Sequence, residues 1–330
     1  MQQFGGEHPG LSVTPASPAY TERKGWREAW RQIKRDRFLY ALAAIPLLYF
    51  VVFRYLPMVG VIIAFQDYDP FLGITDIFRF DRWVGVKHFR NFFDSIFFWN
   101  IMRNTVLISL YKLIFGFPVP IILALLINEV RVTLFQRTVQ TVSYLPHFFS
   151  MVVAAGIVRA MLTPQGGLLN QVVVALGGQP KAYLTDPDLF RSIIVTMDVW
   201  QHAGWNSIIF LAAMATINPE MYEAAAMDGA NRFQRMWHVT LPSISFAIVI
   251  ILIFRIGGML DAGFEQIILL YSPSVYSVSD IIDTYVYRAG LIGRQYSFGA
   301  AVGLFKSVLA LALMYMANKV SQKLGQEGLW

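Results

Sequence analysis

The chain has 330 residues, 56% of them hydrophobic and only 15% charged, with mean hydropathy +0.49. That balance is too apolar for an ordinary soluble domain and predicts an all-α polytopic membrane protein. The net charge of +6 does not point to nucleic acid, because the basic residues cluster beside apolar spans and no nucleic-acid motif accompanies them, and the absence of cysteine excludes disulfides, thiolate chemistry and Cys-ligated zinc.

Residues 1–25 are rich in Pro, Ser and Gly and lack an apolar core, so they read as a disordered cytosolic tail and not as a cleavable signal. Over 26–37, Trp26, Ala29, Trp30 and Ile33 share one helical face while Arg27, Arg31, Lys34 and Arg35 occupy the other. This is the pattern of an interfacial amphipathic helix, and an ordinary juxtamembrane basic run accounts for it equally well. The first span is expected over 38–54, with Pro46 inside and Arg54 snorkelling at its far end. Residues 55–100 are aromatic, mixed in charge and broken by the turn Asp67-Tyr68-Asp69-Pro70, so they read as an outer loop. Spans two and three follow over 104–127, with Lys112, Pro118 and Pro120, and 139–162, kinked by Pro146. A short basic loop separates them.

A second outer loop carries the turn Pro164-Gln165-Gly166-Gly167, a short amphipathic helix over Leu168–Leu176 ended by Gly177-Gly178, and Asp186-Pro187 capping the next helix. The fourth span is expected over 191–217, the fifth over 243–265, and the sixth over 298–318 after an outer loop containing Asp280 and Asp283. A short basic tail, 321–330, ends the chain. The segments assigned to the cytosol hold about thirteen Lys and Arg against about seven to nine in the longer outer segments, which places both termini inside.

Between spans four and five lies the polar interlude 218–242. Asn218 caps a helix, Pro219 fits its first position, and Glu220 and Glu223 sit at the favourable end of the helix dipole. Ala224 to Ala226 propagate the helix and Gly229 stops it. Asn231 caps a second short helix whose Phe233, Met236 and Trp237 share a face, and Pro242 is expected to prevent its continuation. Glu223, Ala224, Ala225, Gly229, Leu241 and Pro242 fall in register with the EAA signature, and there the sequence resembles the membrane subunits of binding-protein-dependent ABC importers. Val239 stands where that signature has Ile.

The resemblance covers the chain from about Phe38 onward and implies a transmembrane permease domain over 38–320 with the type I importer fold. It implies six helices, both termini inside, and a cytoplasmic EAA coupling helix. It assigns Glu223, Ala224, Ala225, Asp228, Gly229, Leu241 and Pro242 to contact with a separate ATPase, which would hold the ATP and Mg, so this chain binds no cofactor of its own. The implied partners are a second homologous permease subunit, two copies of the cytoplasmic ATPase, an extracytoplasmic solute-binding protein that meets residues 67–91 and 166–188, and membrane lipid. The implied location is the bacterial cytoplasmic (inner) membrane. The sequence is most similar to the carbohydrate class, in the branch that handles complex oligosaccharides such as alginate. Trp83-Val84-Gly85, Arg103-Asn104-Thr105 and Tyr144-Leu145-Pro146 are further landmarks of the resemblance.

No phosphate-binding G-x-x-x-x-G-K-S/T, nucleophile elbow or metal-ligand spacing among the five histidines is found, so the chain reads as a transport subunit and not an enzyme. Gly299-x-x-x-Gly303 reads as a helix-packing motif. Counted at about 1.5 Å per residue, Lys112, Arg255 and Lys306 lie well within the membrane, where each costs about 2.5–3.5 kcal/mol if it faces lipid. They are expected to face the interior. Asp198 is the deep carboxylate available to pair with them, while Asp261 and Glu265 lie nearer the outer end of their span. Either the cations are internally paired or a positive bias remains that suits an anionic, uronate-like oligosaccharide, with Trp200 and Trp205 stacking on sugar faces or packing in a core. An ion-coupled secondary carrier is the alternative, and it calls for an inverted internal repeat that is not found. A receptor or scaffold would transport nothing.

Overall fold

The computed structural model describes Trp30 and residues 34–323. The tail expected over 1–25, most of the interfacial helix over 26–37, and residues 324–330 lie outside the described residues. The chain divides into two compact units, Met1–Val59 and Gly60–Trp330.

In the first unit, helix α1 (Arg37–Phe50) runs through Pro46 and continues as a π turn over Val51–Tyr55. Beyond Arg37 this helix has no charged residue and is apolar all round, a composition suited to lipid. The helical path continues to Phe65, well past the boundary expected at residue 54.

The second unit is also helical, and among the described residues the only β pairing is a bridge between Gln66 and Trp83. Helix α2 (Lys87–Phe93) precedes α3 (Phe98–Gly116) and α4 (Pro118–Asn128), which together form one span-length path. Helix α5 (Thr133–Tyr144) leads through Leu145–Phe148 to α6 (Met151–Leu162), and the two axes meet at 103°. The third expected span is therefore broken, not merely kinked. Pro146 cannot extend α5, and Ser150 opens α6 as a new helix by accepting a hydrogen bond from Val153 N at 3.3 Å. Helix α7 (Leu168–Ala175) ends at Gly177 with φ +83°, and Asp186 caps α8 (Pro187–Ala215) through Asp188 N at 2.9 Å, as the sequence predicts.

Helix α8 is the spine of this unit. Phe190, Ile194 and Met197 enter one buried cluster with Ile108, Ala154 and Ile267. Between three and five turns beyond Met197, Phe210 and Met214 enter another with Ile121, Leu125 and Ile244. The faces of α8 that pack on protein carry Asp198, Gln201, Asn206 and Ser207, so the helix is less apolar than a lipid-facing span. Among the described residues three helical paths are long and apolar enough to cross a membrane, or up to five if each of two bent pairs is one span, and α8 is not among them.

At Gly204, α8 crosses α5 so closely that an added Cβ would overlap the carbonyl oxygen of Ser143. Gly204→Ala is expected to force the helices apart and cost about 1–3 kcal/mol. Thermal unfolding of the purified chain in detergent checks this, and an unchanged midpoint would contradict the close crossing.

The hairpin over 218–242 follows. Helix α9 (Pro219–Met227) is capped by Asn218, whose side chain accepts from Glu220 N at 3.1 Å, and it ends at Gly229 with φ +78°. Helix α10 (Arg232–Arg235) opens with a reciprocal capping box between Asn231 and Gln234. Pro242 does not stop the second helix as expected. The path widens to a π turn over Met236–Thr240, continues through Leu241–Ser243, and only then bends by 62° into α11 (Ser245–Gly257). The π turn alters the carbonyl register that an uninterrupted α-helix would set against the proline ring.

The fifth expected span also stops short of residue 265. Gly257 and Gly258 end α11, Gly263 takes φ +93°, and a separate helix α12 (Phe264–Leu270) begins. Short turns over 273–285 and a π turn over Val286–Ile292 lead to α13 (Tyr296–Lys323). Of the Gly299-x-x-x-Gly303 pair, Gly299 lies against Gly290, where a Cβ on either would meet the other's Cα at 3.0–3.1 Å, while Gly303 has open space beside it. The Arg103-Asn104-Thr105 landmark also has a packing role. Buried Asn104 donates to the carbonyls of Ser277 and Asp280 at 3.1 Å and accepts from Arg191 at 2.7 Å, while Thr105 Oγ1 accepts from Ile282 N at 3.0 Å. These bonds tie α3, α8 and the 276–285 turns together.

Candidate functional site

Helices α3, α8 and α11 and the segment 258–266 enclose a cavity of about 660 Å³. Its charged centre is built from three elements. Lys112 of α3 places Nζ 3.0 Å from Asp198 Oδ1 of α8 and 2.5 Å from Gln266 Oε1 of α12, and Gln266 Nε2 donates to the same carboxylate oxygen at 3.4 Å. The Lys112 and Asp198 side chains are only 11% and 13% exposed. One turn beyond Asp198, His202 lies on the same wall, with Nδ1 3.0 Å from the Asp198 carbonyl oxygen and 3.7 Å from Oδ1. Gly263 lies against Lys112 Nζ, and a Cβ there would collide with that nitrogen, so its left-handed backbone also gives the lysine its place.

Arg255 of α11, Asp261 and Glu265 complete the charged lining. Among the described residues Arg255 makes no ion pair. The lining therefore carries two cations, Lys112 and Arg255, against three carboxylates, Asp198, Asp261 and Glu265, and the positive bias expected from the sequence is not present in this cavity.

The structure brings Lys112, Asp198 and Arg255 to one cavity and leaves the other expected path residues elsewhere. Lys306 is held by both oxygens of Asp283 at 2.6 and 2.7 Å and does not line the cavity. Within the segment expected to lie outside, Asp283 sits in the short helical turn Ile282–Tyr285, which brings its carboxylate to Lys306 of α13. Trp200 lines a separate apolar recess between α6, α7 and α8, and Trp205 stacks on His147 with centroids 4.7 Å apart and planes 5° apart. Neither tryptophan faces the charged cavity. Sequence reasoning missed His202, Asn206 and Gln266. The first two had a signal, since 198, 202 and 206 recur every four residues and so share one face of α8.

The second candidate region is the hairpin. Glu223, Ala224, Asp228 and Gly229 are exposed on α9 and its terminal turn, Ala225 is half-buried, and no hydrogen bond or ion pair is found for the Glu223 carboxylate among the described side chains. Met227 is 89% exposed, and Phe233 and Trp237 stack with centroids 6.4 Å apart at the opening of an apolar recess of about 220 Å³ that Leu241 also lines. Pro242 is exposed just beyond. Tyr222 OH lies 3.0 Å from the buried Thr240 Oγ1, which fastens α9 to the π turn leading into α11. Helix α9 and the turn into α11 are thus joined by a hydrogen bond as well as through the chain.

Residues 116–326 match the family model described as the binding-protein-dependent transport system inner membrane component. Protein LplB of Bacillus subtilis (strain 168) is 46% identical over 316 residues, covering 95% of this chain and 97% of that protein. The polygalacturonan/rhamnogalacturonan transport system permease protein YteP of the same organism is 44% identical over 296 residues, covering 90% and 91%. Among solved structures, a chain of a bacterial ABC transporter involved in import of the acidic polysaccharide alginate superposes with TM-score 0.83 at 41% identity, covering 90% of this chain and 99% of that one. The same transporter type is also solved in complex with an alginate pentasaccharide-bound periplasmic protein, again with TM-score 0.83. This chain belongs to the inner membrane components of binding-protein-dependent ABC transport systems.

Proposed function

We propose that the chain is a permease subunit of an ATP-driven importer of oligosaccharides bearing carboxylates, of the uronate class. The observation that carries this reading is its likeness, over nearly the whole chain, to a chain of an importer of an acidic polysaccharide. The galacturonan permease among its relatives points to the same sugar chemistry. In this reading six helices cross the bacterial cytoplasmic membrane with both ends inside, α8 being the span that faces protein. A second homologous permease completes the path, and a solute-binding protein docks on the outer segments 67–91 and 166–188. Two copies of a cytoplasmic ATPase hold ATP and Mg. Closure of the ATPase pair pushes on α9, and the Tyr222–Thr240 contact passes that motion to α11, so the cavity between α3, α8 and α11 exchanges its exposed side.

Glu223 supplies the charge that docks the ATPase, Ala224 and Ala225 allow close approach, and Asp228, Gly229, Leu241 and Pro242 shape the hairpin. The preference for carboxylates in this chain rests on Arg255, the cavity cation without an ion-pair partner among the described residues, because Lys112 is balanced by Asp198. In the complete reconstituted system, uronate oligosaccharides are expected to be taken up faster than neutral ones of equal length, and Arg255→Gln is expected to lower uronate uptake about tenfold. Equal uptake of neutral sugars, or no effect of Arg255→Gln, removes the anionic specificity.

A further inference from the structure

A second polar cavity of about 630 Å³ lies between α2, the segment around Asp67 and Tyr68, Tyr285, and the entry to α13. It shares no lining residue with the cavity around Lys112. Its walls are cross-linked by polar contacts. Lys87 Nζ donates to Asp67 at 2.8 Å, His88 Nε2 lies 3.0 Å from the other Asp67 oxygen, and Ser297 Oγ accepts from Tyr68 N at 3.0 Å. The hydrogen bond from Lys87 holds the Asp67 carboxyl below its ordinary carboxylate value. The one carboxylate in the lining is therefore already engaged.

The remaining cation there is Arg294. Its side chain is exposed at the pocket, and no ion pair or hydrogen bond is found for its guanidinium among the described residues. Its backbone is the one non-glycine position with positive φ among the described residues, at +56°, just past the π turn that ends at Ile292. Glycine is the low-strain residue for such a terminus, so a strained backbone here carries a side chain with five free donors into the pocket. Around it, Tyr68 and Tyr296 bring aromatic rings, and Asn91 and Gln295 bring amides that donate and accept together. Aromatic rings, paired donor–acceptor groups and one free guanidinium match a sugar ring that carries a carboxylate.

We propose that this pocket is an outer capture subsite for one uronate residue of the oligosaccharide, its carboxylate held by Arg294. The proposal rests on the topology and substrate class given above, in which both 55–100 and 266–297 lie outside, where a binding protein releases its cargo. The subsite is separate from the membrane cavity, so the glycan binds it without the cavity opening.

The test uses the full transporter in lipid nanodiscs, without nucleotide and without binding protein, titrated by calorimetry with a uronate trisaccharide and with its carboxyl-reduced analogue. Saturable binding of the uronate is expected, with affinity falling about tenfold or more in Arg294→Gly. That variant is expected to unfold no earlier than wild type, because glycine relieves the positive φ, and Arg255→Gln is expected to leave this binding unchanged. Equal affinity in Arg294→Gly overturns the proposal, as does loss of binding in Arg255→Gln instead. Absence of saturable glycan binding together with weaker docking of empty and loaded binding protein alike would make Arg294 a protein contact. Uronate uptake is measured on the same protein preparations reconstituted into proteoliposomes, with ATP inside and the binding protein outside, so a transporter that imports uronates yet shows one of these results loses the subsite and keeps the proposed function, whereas failure of uptake counts against the function itself.

Discussion

Glu223→Gln is expected to lower ATP-driven uptake by at least tenfold while leaving this chain folded. In the structure Glu223 is exposed on α9 with no hydrogen-bond or ion-pair partner found for its carboxylate among the described residues, so no described side-chain contact is lost with its charge. In the docking proposed above, the same charge pairs with a basic group in a desolvated cleft of the ATPase, and breaking such a pair by removing one partner costs about 3–5 kcal/mol, although a glutamine that keeps one hydrogen bond recovers part of it. About 1.4 kcal/mol already corresponds to a tenfold change. A bulky residue at Gly229 is expected to give the same outcome by another route, because φ +78° strains any branched side chain and moves the turn that presents Glu223. The measurement is uptake together with co-purification of the ATPase. Wild-type levels of both in Glu223→Gln would mean that α9 is not the docking element.

Lys112→Met is expected to destabilise the chain by about 2–3 kcal/mol, somewhat less than for a fully buried pair because the cavity admits water. The Asp198 carboxylate would then face Gln266 and His202 with no cation in contact. Asp198→Asn is expected to cost a similar amount by stranding the ammonium of Lys112. The double variant Lys112→Met, Asp198→Asn is expected to recover most of the loss, since no unpaired charge remains. Thermal unfolding of the four proteins forms the cycle. Additive effects within about 0.5 kcal/mol would show that the two residues do not act as a pair.

The parts of this fold that were legible in the sequence are those set by neighbours along the chain. Asn218, Gly229 and the Asn231 cap define the hairpin through contacts between residues two to four apart, and the structure places each as expected, while the return bond from Gln234 that completes the capping box was not foreseen. Local signals reach less far at the breaks. Pro146 announced a disturbance, but a 103° turn depends on where α6 finds its packing partners in α8 and α12. Pro242 announced a stop, and the π turn before it let the helical path continue.

The same limit governs the site. Asp198 and Gln266 are 86 and 154 positions from Lys112 and meet it only through tertiary packing, so the sequence offered Asp198 as an available partner without saying which cation it pairs or that Gln266 joins them. Lys306 was assigned to the path because of its depth in the span, with Asp198, Asp261 and Glu265 as the available carboxylates, whereas a short helical turn brings Asp283 to it on α13. Trp200 and Trp205 satisfied the composition of a sugar platform, yet one faces an apolar recess and the other is covered by His147. A stripe of polar residues every fourth position along α8 was the better guide to the cavity.

This chain is expected to carry uronate oligosaccharides across a membrane only when an ATPase drives it through the hairpin. Uptake of a labelled uronate oligosaccharide into proteoliposomes that contain this chain, its partner permease and the ATPase tests it most directly, with the binding protein supplied on the outer side. The expected result is accumulation that requires ATP inside and the binding protein outside, and that is lost when this chain is omitted. Accumulation that persists without ATP under an imposed ion gradient, or that is indifferent to the binding protein, would contradict the account.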